Sequence, residues 1–424
     1  MSDWRTRRAA PFASAMAGVA LLAGCGTLPG GTGGTTGPVV VMTWAPENTG
    51  ATNMPGMPGM AKAFAKYVNA RGGIAGRELK VITCNDHNSA LGVGDCAQRA
   101  ADEGAVAVVG SYSQFGAAFT STLEAEGIPY LGGYGITQDE FESPLSYPVN
   151  GGLPALMAGA GRQLAGKCDR VSLIRPDTAA GDLFARFLDA GLRDEGRTSA
   201  TDLRAPEDAT DYNGISRRAI GSNNPGDCVS AALGDKTATF FDAFRRTTTT
   251  DPATGLDDGP KAQIASVLGS VQQSTLDSTG GSNSPLEGAF VTGWYPPASD
   301  SRWALMRNTI KRYAFGDNSI DPNDPGVQTT WIAYTALAEV VEKMGKDQAV
   351  TAPSLKQALD EAHDVSTDGL TPPLGWREQD TASIIDQPRL VNGRITFQKV
   401  EKGRLVAARK GFVDVTKTLE NAPG

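Results

Sequence analysis

Histidine is almost missing from this chain: His87 and His363 are the only two among 424 residues. That leaves a Ser-His-Asp triad few arrangements, and no Gly-x-Ser-x-Gly turn exposes a nucleophile, so a secreted hydrolase is disfavoured. Basic charge is short as well. The 39 Lys and Arg are outnumbered by 47 Asp and Glu, for a net charge of -8 and a pI near 5.0. A phosphate backbone calls for the opposite balance, which excludes nucleic acid as a partner. Aromatic residues make up only 7%, which weighs against a sugar site walled by stacked rings. No apolar run reaches the roughly 20 residues that span a bilayer. What is present, 40% hydrophobic and 20% charged residues, describes a soluble globular chain, and its length sets an expectation of two domains.

Phosphate-binding loops fare no better. Gly161 to Cys168, GRQLAGKC, comes within one residue of a P-loop. Cys168 stands where a magnesium-binding Ser or Thr is required, and the run precedes a strand instead of following one. No Gly-x-Gly-x-x-Gly follows a strand, and Asp257 and Asp258 lie in a polar insertion where solvation accounts for them. The reading calls for no enzyme activity, no cofactor and no metal.

The N-terminus carries the clearest local signal. Arg5, Arg7 and Arg8 precede an apolar run from Phe12 to Ala23, too short for a membrane span and suited to a signal peptide. The run closes on Leu22-Ala23-Gly24-Cys25, which resembles a bacterial lipobox. That resemblance implies cleavage before Cys25 and lipidation of its thiol. Gly26 to Pro38, with almost nothing apolar, reads as a flexible tether. Export makes the remaining cysteines legible: Cys84, Cys96, Cys168 and Cys228 are an even number in an oxidising compartment. Of the three formal pairings, sequence order favours Cys84 with Cys96 and Cys168 with Cys228. The alternative is a metal site of Cys84, His87 and Cys96, which lacks a clear fourth ligand.

From Val39 strands and helices alternate. Strands are expected at Val39 to Thr43, Glu78 to Thr83, Ala105 to Val109 and Ile128 to Leu131, with helices at Met60 to Ala70, Asp95 to Glu103 and Phe115 to Ala125. The rhythm restarts with helix Leu153 to Ala165, strand Arg170 to Ile174, helix Asp182 to Glu195 and a strand at Thr198 to Leu203. Helices at Ile215 to Ile220 and Lys236 to Arg245 and strands at Cys228 to Ala232, Gln263 to Leu268 and Gly288 to Thr292 complete that half, while Thr247 to Pro260 reads as a polar insertion without a core. An amphipathic helix Thr329 to Lys343, a helix Ser354 to Ala362 capped by Ser354, and a hairpin from Arg394 to Ala407 close the chain. The pattern is α/β, two doubly wound parallel sheets.

The chain is organised around Asn69 to Asp86, NARGGIAGRELKVITCND, in which paired glycines end a helix and Gly76-Arg77 opens a strand. This run of Asn-Ala-x-Gly-Gly-Ile-x-Gly-Arg, short strand and Asp resembles a motif near the start of type I periplasmic binding proteins of ABC importers, particularly the branched-chain amino-acid (Leu/Ile/Val-binding) family. The Trp331 helix, Leu374-Gly375-Trp376, and Asn392-Gly393 with its hairpin match again, so the resemblance runs from about Val39 to Val413 and is thinnest over Thr198 to Pro285. It implies two Rossmann-like lobes joined by a three-strand hinge: residues 39–147 with 297–388, and 148–296 with 389–424, the chain crossing near Tyr147, Pro296 and Pro388. It also implies a monomeric lipoprotein on the outer face of the cytoplasmic membrane. Such a protein captures an amino acid or related small carboxylate or amide and delivers it to an ABC permease. A sensing receptor of the same fold, uncoupled from import, is the alternative.

Ligand loops are expected at the carboxyl ends of the strands. In the first lobe these carry Trp44, Asp86, Ser111, Tyr112, Ser113, Tyr134, Gly135 and Thr137, and two of the loops lead into helices whose free N–H groups favour a carboxylate. The resemblance assigns the ligand's α-carboxylate and ammonium to Ser113, Gly135 and Thr137. In the second lobe Asp177 and Thr178, Gln272 and Trp294 are the candidates. Ala180 stands where the family usually has an aromatic residue packed on the ligand, a departure that counts against a simple branched-chain amino acid.

Overall fold

In the computed structural model, residues 37–50, 52–206, 208–221, 223–250, 255–384 and 386–422 are described. Cys25, the signal region and the tether as far as Thr36 lie outside them. Strand β1 (Val39–Trp44), VVVMTW, is β-branched and apolar and almost wholly buried, as a central parallel strand covered on both faces must be. After it come α1 (Gly56–Asn69), β2 (Leu79–Cys84), α2 (Ala90–Asp102), β3 (Ala107–Val109), α3 (Gly116–Glu126), β4 (Tyr130–Leu131), the short α4 (Asp139–Glu142) and β5 (Ser146–Tyr147). The five strands form one parallel sheet in the order β2-β1-β3-β4-β5.

The second sheet begins after α5 (Gly152–Ala165). It is built from β6 (Arg170–Pro176), α6 (Ala179–Asp194), β7 (Thr201–Ala205), α7 (Asn213–Ile220), β8 (Asp227–Ala231) and α8 (Thr237–Arg245). A small hairpin of β9 (Thr249–Thr250) and β10 (Asp257–Asp258) occupies the stretch read as a coreless insertion, and β11 (Gln263–Val267), α9 (Gln273–Ser278) and β12 (Phe290–Gly293) follow. The chain then adds α10 (Ala304–Tyr313), α11 (Pro325–Met344) and α12 (Ala352–Glu361) beside the first sheet. It returns to the second as β13 (Arg394–Glu401), β14 (Arg404–Ala407), β15 (Val413–Asp414) and α13 (Thr416–Glu420). The order is β14-β13-β12-β11-β8-β6-β7, with β15 also on β13; pairing is parallel from β12 to β7 and antiparallel beyond. Two lobes of mixed α/β structure result.

Each sheet is clothed by helices on both faces. On one side of the first, Phe64 of α1 meets Trp331 of α11 edge-on at 5.1 Å; on the other, Val93 and Cys96 of α2 and Phe119 and Leu123 of α3 pack as a separate cluster. In the second lobe Phe240, Phe241 and Phe244 of α8 join Tyr212 and Ile220. Burying one such side chain is worth about 1.5–3 kcal/mol. Helix α12 corrects one expectation: its cap is Thr351, and Ser354 supplies the reciprocal half of a capping box.

The glycine motif is architectural. Gly73 has φ +81°, and a Cβ there would lie 1.9 Å from the Arg77 carbonyl oxygen, so the turn closes only without a side chain. Arg77, 2% exposed, then threads its guanidinium to the carbonyl oxygens of Gly345 (3.1 Å), Lys346 (2.7 Å) and Gln348 (2.7 Å) beyond the end of α11. Disulfides join Cys84 to Cys96 and Cys168 to Cys228, one in each lobe. They consume both cysteines of the alternative metal site.

Candidate functional site

The carboxyl ends of the parallel strands of both sheets face one another at Tyr134. Its backbone N–H donates to the Ser111 carbonyl at 3.1 Å, tying the loop after β4 to the loop after β3. Its ring stands edge-on to Tyr112 at 5.3 Å and, across the lobe boundary, to Trp294 at 5.1 Å. Tyr134 is 5% exposed, and its hydroxyl finds no hydrogen-bond partner among the described residues. That hydroxyl reaches the second lobe at Gly269, where a Cβ would stand 3.0 Å away. A buried, unpaired hydroxyl costs about 1–3 kcal/mol, and this one lies at the lobe boundary.

Other groups fix this seam. Trp294 donates its indole N–H to the Gly152 carbonyl at 2.8 Å. Asn150 donates to the Tyr295 hydroxyl at 2.9 Å, and that hydroxyl shares a bond with Thr329 at 2.9 Å. Tyr112 accepts from Gln114 at 3.1 Å, and burial pushes its phenol up to about 12. Burial likewise raises Tyr134 well above the usual phenol range, helped by the negative charges of Asp324 and Asp235. A small apolar recess adjoins the seam, between Ile136 and Phe141 of the first lobe and Leu153, Phe184 and Phe187 of the second.

The amide nest expected to receive a ligand carboxylate already holds one. The Glu140 side chain accepts from the backbone N–H groups of Gly135 (3.0 Å), Ile136 (3.0 Å) and Thr137 (3.1 Å) and from the Thr137 hydroxyl (3.2 Å). Glu140 is 3% exposed; burial pushes its pKa up while the amide bonds pull it down. The sequence signal for this arrangement is Thr137-x-x-Glu140, the spacing of a capping box.

The remaining sequence candidates divide. Ser113 accepts from the Phe115 N–H at 3.3 Å and lies beside Asp86, whose pKa burial raises. Ser111 accepts from the Trp44 N–H at 3.1 Å. Trp44 is the last residue of β1, not a loop residue, and its ring is fully buried between Phe119 (5.3 Å) and Tyr130 (6.0 Å), a core position. Thr178 caps α6 by accepting from the Gly181 N–H at 3.0 Å, and Asp177 pairs with Arg204 at 3.5 Å; among the described residues no hydrogen bond joins either to the Tyr134 seam. Gln272, half-buried, stands immediately before α9.

Asp324 is a residue the sequence reading missed. It caps α11 by accepting from the Val327 N–H at 3.0 Å. Desolvation, with Asp321 and Asp235 nearby, pushes its carboxyl up to about 6. A raised carboxyl binds its proton more tightly folded than unfolded, so its contribution to stability is full below the unfolded value and lost as pH rises through about 6. Asn keeps the cap without the charge. Asp324→Asn should therefore match the parent at pH 4 and exceed it by about 1–2 kcal/mol at pH 8, discounted for partial exposure. Urea unfolding at the two pH values measures this, and an equal gain at both would show that charge is not the cause.

The family model described as periplasmic binding protein matches residues 48–392. This chain belongs to the periplasmic binding protein family. Similar solved structures agree on the architecture. A fatty acid ABC transporter substrate-binding protein from Thermomonospora curvata is 16% identical, with a TM-score of 0.71 over 93% of this chain and 97% of that one. A solute binding protein of an ABC transporter from Rhodopseudomonas palustris, in complex with 3,4-dihydroxy benzoic acid, is 16% identical, with a TM-score of 0.67 over 92% and 99%. A leucine binding protein from Thermotoga maritima is 14% identical, with a TM-score of 0.66 over 89% and 99%. No curated protein matches the chain. The fold of this periplasmic binding protein is thereby the type I fold of two lobes, and its role is binding a solute outside the cytoplasm. Among the described residues no helix is long and apolar enough to cross a membrane.

Proposed function

We propose that this protein captures a small polar solute in the cleft between its lobes and hands it to an ABC permease, held at the outer face of the cytoplasmic membrane by lipid on Cys25. The observation that carries the reading is the Tyr134 hydroxyl, on a residue 5% exposed, without a hydrogen-bond partner among the described residues, and set between the carboxyl ends of both sheets' parallel strands. A solute that bridges such a seam touches both lobes at once, and only contacts made differently in two states shift an equilibrium toward the closed one. The solved relatives whose names mention ABC transport support the handover.

Tyr134→Phe separates this role from a packing role, because the two have opposite signs. Removing an unpaired buried hydroxyl should stabilise the unliganded protein by about 1 kcal/mol. The same change should weaken solute binding, read as a smaller rise in melting temperature at fixed solute concentration. Loss of stability in the unliganded variant would show that the hydroxyl serves the fold and would remove the basis for this site.

A further inference from the structure

Resting on the membrane location in that reading and not on its solute, we propose that the first lobe docks on an anionic lipid bilayer through the outer face of α1 and α10. Phe315 enters the headgroup layer, and Lys62, Lys66, Arg71, Lys311 and Arg312 lie over the lipid phosphates. Three observations converge. The first is Phe315 itself, 90% exposed, the most of any large apolar side chain among the described residues. It stands in the turn just past α10, where Gly316 takes φ +86°. A ring held out at the tip of a turn is suited to the boundary between water and acyl chains.

The second is the basic surround. Lys66 Nζ donates to the Tyr313 carbonyl at 3.3 Å, tying α1 to the end of α10, and the rings of Tyr67 and Tyr313 meet edge-on at 6.3 Å. The Arg71 guanidinium lies 3.9 Å from the centre of the Tyr67 ring, and that of Arg312 5.4 Å from the centre of Tyr313. Lys62, one turn before Lys66, and Lys311 are exposed beside them. Among the described residues no carboxylate forms an ion pair with any of these five cations. Asp317, the acid nearest to Phe315 along the chain, is turned to the Ser319 N–H at 3.0 Å and its hydroxyl at 2.5 Å. On a chain of net charge -8, this face is the complement of an anionic surface.

The third is where the chain enters the fold. Val39, at the start of β1, pairs with Leu79, at the start of β2. The Asn69 side chain bonds both the N–H and the carbonyl of Leu79 at 2.9 Å. The end of α1 that carries Lys66 and Arg71 therefore lies at the edge of the sheet that receives the tether. The carboxyl ends of these parallel strands, with Tyr134 just past β4, lie at the opposite edge. Residues 26–38 extend about 45 Å at most, so lipid on Cys25 keeps the basic edge close to the membrane. The tether limits distance; this second contact sets which way the body faces, and it leaves the carboxyl ends uncovered.

The test is co-sedimentation with vesicles of the mature chain that the lipobox implies, residues 25–424, carrying Cys25→Ser so that no acyl chain contributes. Every described strand and helix lies beyond residue 38, so neither lobe loses an element. The chain should sediment with phosphatidylglycerol–phosphatidylcholine vesicles and not with phosphatidylcholine alone, and high salt should release it. Lys66→Gln with Arg312→Gln should weaken binding about 25-fold, at about a factor of five for each basic residue. Phe315→Ser should weaken it severalfold at every salt concentration, because its contribution is apolar. All three side chains are exposed, so the variants should melt with the parent. Equal binding to both vesicle types, binding to neither, or variants that bind as the parent does would overturn the docking face. Solute-induced thermal shifts and the mass of protein extracted from membranes read solute binding and the Cys25 anchor separately, so either can fail without the other.

Discussion

Arg77→Ala should cost the protein at least about 3 kcal/mol of stability. The side chain is buried, and three carbonyl oxygens, those of Gly345, Lys346 and Gln348, lose a charged donor at once. Each lost charge-assisted bond is worth about 1.5–3 kcal/mol, and carbonyls that water can reach recover part of that. The loss should be local in origin and global in effect, because Arg77 ties the glycine turn before β2 to the end of α11, the longest helix of the described chain. Lysine should not rescue it: a single ammonium cannot span three diverging carbonyls as a planar guanidinium does. Urea unfolding gives the answer as a shifted midpoint with unchanged slope. A midpoint within experimental error of the parent would mean that these carbonyls are satisfied equally well by solvent.

The largest single effect is expected at the second disulfide. Cys168 and Cys228 close a loop of 60 residues, Cys84 and Cys96 one of only 12. On chain entropy alone, replacing Cys168 and Cys228 by serine should cost about 4 kcal/mol, and replacing Cys84 and Cys96 about 3 kcal/mol. The 60-residue loop contains β6, α6, β7 and α7, so its removal frees half the second lobe in the unfolded chain. Denaturation of the two double variants under identical conditions ranks them. A reversed order would show that native packing around Cys84 outweighs loop length.

Much of the fold was legible because its elements repeat a local rule. Val39–Trp44 is β-branched and apolar, α11 carries Trp331, Tyr334 and Leu337 on its inner face, and Gly73 sits where the backbone admits nothing larger. What escaped was short or polar. β5 has two residues, and pairing with β4 sustains it more than any pattern of its own. α10, ALMRNTIKRY, buries Met306 and Thr309 on a mostly polar helix, too little to show a period.

The site was legible as loops and not as contacts. Tyr134 and Trp294 are 160 positions apart by their numbers, and nothing local announces that their rings meet at 5.1 Å. Glu140 was the instructive case. Its spacing from Thr137 had a known meaning, yet the same amides were assigned to a ligand, because a sequence shows which donors exist and not which acceptor reaches them first. Asp324 escaped for a different reason: an N-cap aspartate looks the same on any surface until the fold buries it and raises its carboxyl.

The chain passes between the sheets after Tyr147, after Gly293 and before Arg394, and these passages are stitched together sideways. Trp376 donates to the Pro148 carbonyl at 2.8 Å, Asn392 to the Val149 carbonyl at 2.9 Å, and Asn150 to the Tyr295 hydroxyl at 2.9 Å. Mechanically this makes a strap instead of three strings. A strap folds easily about one line and resists shear and torsion, so two bodies joined by it keep a single soft degree of freedom. Whatever solute enters, the lobes should then approach along the same path, and the permease proposed above would meet the same outer surface each time.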